Sequence, residues 1–155
     1  MSTAHPGPQI RLGHIVLYVR ELHRSLGFYR DALGLAVTTR LFNDRAAMLS
    51  GGDTHHELML IEVGDAPAPP QGRRLGLYHV AWKVGNDLAA LRDAYHQLQA
   101  AGVTVHGMAD HTISQSLYMY DPDGNEVEVY VDDPTVDWRN DTSWSQAPVK
   151  PLRLD

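Results

Sequence analysis

Cysteine is absent from the 155-residue chain, which excludes disulfides, thiolate-bound zinc and a cysteine nucleophile in one step. Any metal must then be held by nitrogen and oxygen, from the nine histidines and the carboxylates. Positive charge is also scarce: 13 Lys plus Arg stand against 19 Asp plus Glu, for a formal net charge of -6. That balance offers no footprint for nucleic acid or an anionic membrane surface, so a small-molecule site is the better expectation. No apolar run approaches the length of a spanning helix, and the start MSTAHPGPQIRLG has neither a basic opening nor a greasy signal core. The chain is therefore expected to be soluble and cytoplasmic. At 43% apolar residues it can build a core, which argues against disorder.

What is present is a repeated pattern. Ile15, Leu17 and Val19 alternate with His14, Val16 and Tyr18, as on a strand with one greasy side. Leu22, Leu26, Tyr29 and Leu33 recur at helical spacing, and Gly34 follows where a left-handed C-cap is needed. Three strands are expected in the runs Leu35 to Phe42, Ala46 to Leu49 and His56 to Val63, broken by Asn43-Asp44 and Gly51-Gly52-Asp53. Residues 64–76, rich in proline and glycine, read as a linker. The pattern then returns: a strand over Leu77 to Val84, and a helix on Leu88, Leu91, Tyr95 and Leu98 between Asp87 and Gly102. Further strands are expected at Val103 to His106, Ser116 to Tyr120 and Glu126 to Val131. GHIVLYV resembles YHVAWKV, and ELMLIEV resembles NEVEVYV.

The expected fold is α+β, two β-α-β-β-β modules forming a cupped mixed sheet. Residues 1–9 read as an extension and 10–131 as one domain, of module 1 (10–63), the linker (64–76) and module 2 (77–131). The remaining stretch, 132–155, reads as a tail packing on the domain, because Trp138 and Trp144 are costly to leave in water.

Parity along the strands decides which polar residues share a face. His14 lies on the polar side of the first strand, and His79 and Lys83 oppose Val80, Trp82 and Val84 on the fifth. Glu126, Glu128 and Tyr130 oppose Val127, Val129 and Val131 on the last. His14 and His79 occupy matching positions of the two modules. Together with Glu128 they make the two-His, one-carboxylate set of mononuclear non-heme iron, with coordination positions left open. The repeat places Leu60 at the position of the first module that matches Glu128, which leaves three protein ligands. Glu62 and Glu126 are expected on the same side as this set, while His5, His23, His96 and His106 read as surface residues.

This layout resembles the vicinal oxygen chelate superfamily, over roughly Ile10 to Val131. Within it, HTISQSLYMYDPDGNEVEVY is similar to the extradiol dioxygenase signature through His111, Leu117-Tyr118, Asp121-Pro122-Asp123-Gly124 and Glu128. HHELML around His56 resembles the segment that precedes the family's second ligand strand. Many such enzymes duplicate the two-module unit, whereas this sequence carries one.

The resemblance implies an extradiol ring-cleaving dioxygenase that inserts both atoms of O2 into a catechol-type diol beside its hydroxyls. Fe(II), with Mn(II) as the alternative, would be bound by His14, His79 and Glu128. His56 would act as acid/base, and His111 and Tyr118 would hydrogen-bond substrate. A half-sized member is also expected to self-associate as a dimer or larger. The alternatives are a glyoxalase-like metal-dependent isomerase or lyase, which a fourth ligand at Glu62 would favour, and a module that sequesters an aromatic antibiotic.

Overall fold

The computed structural model describes residues 10–154, so the expected extension over 1–9, with His5, lies outside the described residues. Two mixed sheets carry the fold. The first takes β1 (Ile15–Val19), β2 (Ala36–Leu41), β3 (Ala46–Ser50) and β4 (Leu58–Glu62) in the order β1-β4-β3-β2. The second takes β5 (His79–Gly85), β6 (Val105–Asp110), β7 (Ser114–Tyr120), β8 (Glu126–Asp132) and β9 (Lys150–Pro151) in the order β5-β8-β7-β6-β9. In each, the module's first strand runs parallel to its fourth, and the remaining module pairs are antiparallel. The two-module α+β architecture is thus present, with one sheet per module.

By contacts the described chain divides into two compact units, residues 10–72 with 121–124 and residues 73–120 with 125–154. The change from one to the other at Gly72 and Arg73 falls inside the proline-rich linker.

In the first unit the crossover from β1 begins as α1 (Leu22–Leu26) and continues as a π-helical segment, Gly27–Ala32. There the Leu33 N–H reaches back five residues to the Phe28 carbonyl, at 2.9 Å. Leu22, Leu26 and Tyr29 are buried as their spacing predicts, but Ala32 takes the final inward position and Leu33 is only half-buried. The wider turn rotates the last residues out of the α-helical phase. Gly34, at φ 86°, supplies the left-handed stop. Asn43 and Asp44, at φ 52° and 61°, turn the chain between β2 and β3 as a primed turn does.

In the second unit α2 (Leu88–Ala100) starts as expected, with the Asp87 carboxylate accepting from the Ala90 N–H at 2.9 Å. It ends in a Schellman pattern: Gly102 at φ 75° donates to the Gln99 carbonyl and Val103 to the Leu98 carbonyl, each at 2.9 Å. Leu91 and Leu98 face the core, whereas Leu88, in the first turn, is exposed. β8 alternates strictly, with Val127, Val129 and Val131 buried and Glu126, Glu128 and Tyr130 half-exposed on the other face. The tail packs on this unit through β9, which adds to the β6 edge, and through buried Leu154. Trp144 is half-buried, but Trp138 is exposed and stacks under its own neighbour, with the Arg139 guanidinium 4.1 Å from the ring centre.

Pairing corrects one register reading. In the first sheet Ile15 sits opposite Leu58 and Val16 opposite Met59; in the second Val80 sits opposite Val127 and Ala81 opposite Glu128. The residue matching Glu128 is therefore Met59, not Leu60. Leu58 and Leu60 are fully buried, like Val127 and Val129.

Candidate functional site

The second unit joins four of the expected residues in one network. Tyr118 on β7 and Glu128 on β8 are direct cross-strand partners. His79, at the start of β5, pairs with Glu126 and so lies diagonally from Glu128. The His79 Nε2 is 3.0 Å from Oε2 of Glu128. The other carboxylate oxygen, Oε1, accepts from the Tyr118 hydroxyl at 3.3 Å and from the Ser116 hydroxyl at 2.5 Å. His111, in the bend before β7, brings its Nε2 to 2.8 Å from the Tyr118 oxygen. Burial, and then the facing Glu128 carboxylate, push the Tyr118 hydroxyl up to about 12. The phenol accordingly keeps its proton across the neutral range.

Ser116 escaped the sequence reading. Its signal was parity: it lies two residues before Tyr118 on the same strand, hence on the same face. Tyr78 is a second omission. It shares a hydrogen bond with Glu126, and that carboxylate, ahead of burial, raises its hydroxyl. Glu126 does lie on the Glu128 face of β8, as expected.

The first unit holds a histidine cluster. His14 is exposed just ahead of β1, on the side of the exposed Val16 and Tyr18. Its ring centre is 4.4 Å from that of His56, which is 5% exposed. His55 Nδ1 approaches His56 Nδ1 at 2.5 Å. His56 precedes β4 rather than lying on it, yet it shares the buried parity of Leu58 and Leu60. Burial first, then the nearby His14 and His55, hold its imidazole below the ordinary histidine value. A neutral ring able to accept a proton is the result.

Glu62 departs from expectation. It shares the parity of the buried Leu58 and Leu60, opposite Met59, and its Oε2 accepts the Leu22 N–H at 2.9 Å. It thus caps the open end of α1, where a carboxylate also meets the positive end of the helix dipole. His23, His96 and His106 are exposed, as expected, and His106 stacks on Tyr120 with ring centres 4.5 Å apart.

Among the described residues, no group of three or more His, Asp or Glu side chains is placed to hold a metal ion. The pair in the second unit nonetheless has the character of part of a ligand set. The His79–Glu128 separation of 3.0 Å is that of a direct ion pair and is also compatible with two donors about 2.1 Å from one ion and at right angles, which stand about 3 Å apart. His79 Nδ1 is buried without a hydrogen-bond partner among the described residues. An imidazole nitrogen and a carboxylate oxygen suit Fe(II) or Mn(II) better than a soft cation.

Comparison with known proteins agrees with this fold. The family model described as "Glyoxalase/Bleomycin resistance protein/Dioxygenase superfamily" matches residues 11–129. Catechol-2,3-dioxygenase of Bacillus subtilis (strain 168) is 36% identical over 141 residues, covering 91% of this chain and 47% of that protein. Biphenyl-2,3-diol 1,2-dioxygenase 3 of Rhodococcus globerulus is 32% identical over 123 residues, covering 79% of this chain and 63% of that protein. The chain thus spans less than two thirds of either relative. A crystal structure of a glyoxalase/dioxygenase from Nostoc punctiforme shares the fold at a TM-score of 0.72 and 21% identity, over 85% of this chain and 97% of that one. The chain belongs to the glyoxalase, bleomycin resistance protein and dioxygenase superfamily.

Proposed function

We propose that the chain acts in extradiol cleavage of a catechol-type aromatic diol, with both atoms of O2 entering the ring beside its hydroxyls. The observation that carries this reading is the connected set His111–Tyr118–Glu128–His79, supported by the likeness to the two diol dioxygenases. His14, His79 and Glu128 are the proposed ligands of Fe(II), or of Mn(II) in its place. When bound, such an ion would supply electrons to O2 and bring the two substrates together.

The chain's own residues have distinct tasks in this proposal. His56, kept neutral by burial, takes a proton from a diol hydroxyl. Tyr118 stays a phenol at neutral pH and offers its hydroxyl as a donor to substrate oxygen. The neighbouring His111 holds the Tyr118 oxygen in place and can donate when that hydroxyl turns. Glu62, engaged at the start of α1, adds no fourth ligand, and Met59 is a poor partner for a hard ion. Both points favour a site with open positions over the four-ligand isomerase alternative. The protein is further proposed to work as a dimer or larger.

The test is anaerobic loading with Fe(II), then oxygen uptake and visible absorbance with catechol, 3-methylcatechol and 2,3-dihydroxybiphenyl. A yellow ring-opened product formed with stoichiometric O2 loss is the expected result. Bound metal with no oxygen consumed on any diol would overturn the reading in favour of a non-oxidative member of the superfamily; tight binding of an aromatic antibiotic without metal would favour sequestration.

A further inference from the structure

Ser116 is fully buried on β7, between Gln115 and Leu117, which are buried as well. Its hydroxyl donates to Oε1 of Glu128 at 2.5 Å, at the short end for a hydrogen bond to a carboxylate. Tyr118 reaches the same oxygen from 3.3 Å. Oε2 is left facing the His79 Nε2 at 3.0 Å. The two carboxylate oxygens are thus divided between different tasks.

We infer that Ser116 is a positioning residue that ties down Oε1 of Glu128, so that Oε2 alone is presented beside the His79 nitrogen to a divalent cation. The inference rests on the metal-binding reading above. An untethered glutamate turns about three side-chain bonds and can offer either oxygen, or both, to a cation. In a fully buried setting no water competes for the Ser116 hydroxyl, so the tether persists when the cation is absent. The longer contact from Tyr118 cannot replace it, because Tyr118 also meets His111 and, on the proposed mechanism, turns toward substrate. Outer contacts of this kind typically change metal affinity by about 10- to 100-fold.

The experiment titrates the metal-free full chain with Co(II), whose visible bands report its coordination, and records thermal melting of the same metal-free samples. Ser116→Ala should bind Co(II) about 10- to 100-fold more weakly and change the band shape, with melting lowered only as far as the loss of one hydrogen bond to a carboxylate accounts for. Ser116→Thr, which keeps the hydroxyl, should restore affinity and bands. Wild-type affinity and bands in Ser116→Ala would overturn the inference and leave the metal reading standing. A loss that follows a larger drop in melting temperature, with no rescue by Thr, would overturn it in favour of a packing role. Failure of the wild-type chain to bind Co(II) or Fe(II) would overturn the metal reading and the inference together.

Discussion

Glu128 is the residue on which the proposed chemistry turns, because each of its oxygens meets a different part of the network. Glu128→Ala removes one anionic ligand of the proposed three and leaves the Ser116 hydroxyl without its acceptor. Iron content and oxygen uptake should fall together, read by metal analysis of the desalted protein beside an oxygen electrode. Full iron content with intact activity would refute the assignment. His111→Phe tests the neighbouring position. His111 touches Tyr118 rather than Glu128, so iron should be retained while turnover drops by about 10²- to 10⁴-fold, the usual worth of a positioned proton-transfer group. If His111→Phe strips the metal, His111 belongs among the ligands.

At the scale of elements, α1 with its π-helical continuation and the Asp121–Gly124 turn are linked by one buried contact. The Tyr29 hydroxyl donates to Asp121 Oδ2 at 2.8 Å. Burial, followed by Asp121 itself, raises the Tyr29 hydroxyl well above its usual 10.0. The folded state then holds this proton more tightly than the unfolded state. The contribution is therefore complete below about pH 10 and is lost as pH rises from there toward the folded value. Tyr29→Phe should cost about 1–3 kcal/mol in urea unfolding at neutral pH, since the buried carboxylate loses a donor, and it should flatten the alkaline fall in stability. An unchanged alkaline slope in Tyr29→Phe would remove Tyr29 as its source. Gly85 makes a second element-scale case: a Cβ there would come 2.6 Å from the Ala90 Cβ on α2. Neither partner is a flexible side chain, so Gly85→Ala should destabilise by about 1–3 kcal/mol through forced separation of β5 and α2. A thermal melt equal to the parent's would show that the helix shifts freely.

These same elements show where sequence patterning carries information and where it stops. β8 was legible residue by residue, because Glu-Val-Glu-Val-Tyr-Val alternates in polarity and the structure buries every second position. β4 was not: Leu58, Met59, Leu60 and Ile61 are all apolar, so only strand pairing separates Met59 from the buried leucines and sets the match to Glu128. Glu62 looked available for metal because the sequence does not show which side of that apolar strand meets α1. Ser116 was hidden for another reason. Parity puts it on the Tyr118 face, but a serine on a strand is ordinary, and its 2.5 Å approach to Glu128 is what singles it out.

For the whole molecule, the question is what covers its apolar surface. A chain of 155 residues buries a smaller share of its surface than a longer one does. β1 and β5 each lie at one end of their sheet's strand order. On β1 the alternate residues Val16 and Tyr18 are 47% and 72% exposed, and near β5 Leu77 and Tyr78 are 56% and 71% exposed. Strand edges flanked by such side chains pair readily with other chains unless charge or a covering segment blocks them. A formal charge of -6 amounts to weak repulsion over a whole surface at about 0.15 M salt, where charges more than about 8 Å apart are screened. Light scattering should therefore give a multiple of 17.2 kDa across the micromolar range. Tyr18→Glu should lower that mass, because a charge in the exposed row of β1 opposes pairing there. A wild-type mass of one chain at every concentration would refute self-association, and an oligomer indifferent to Tyr18→Glu would move the interface away from β1.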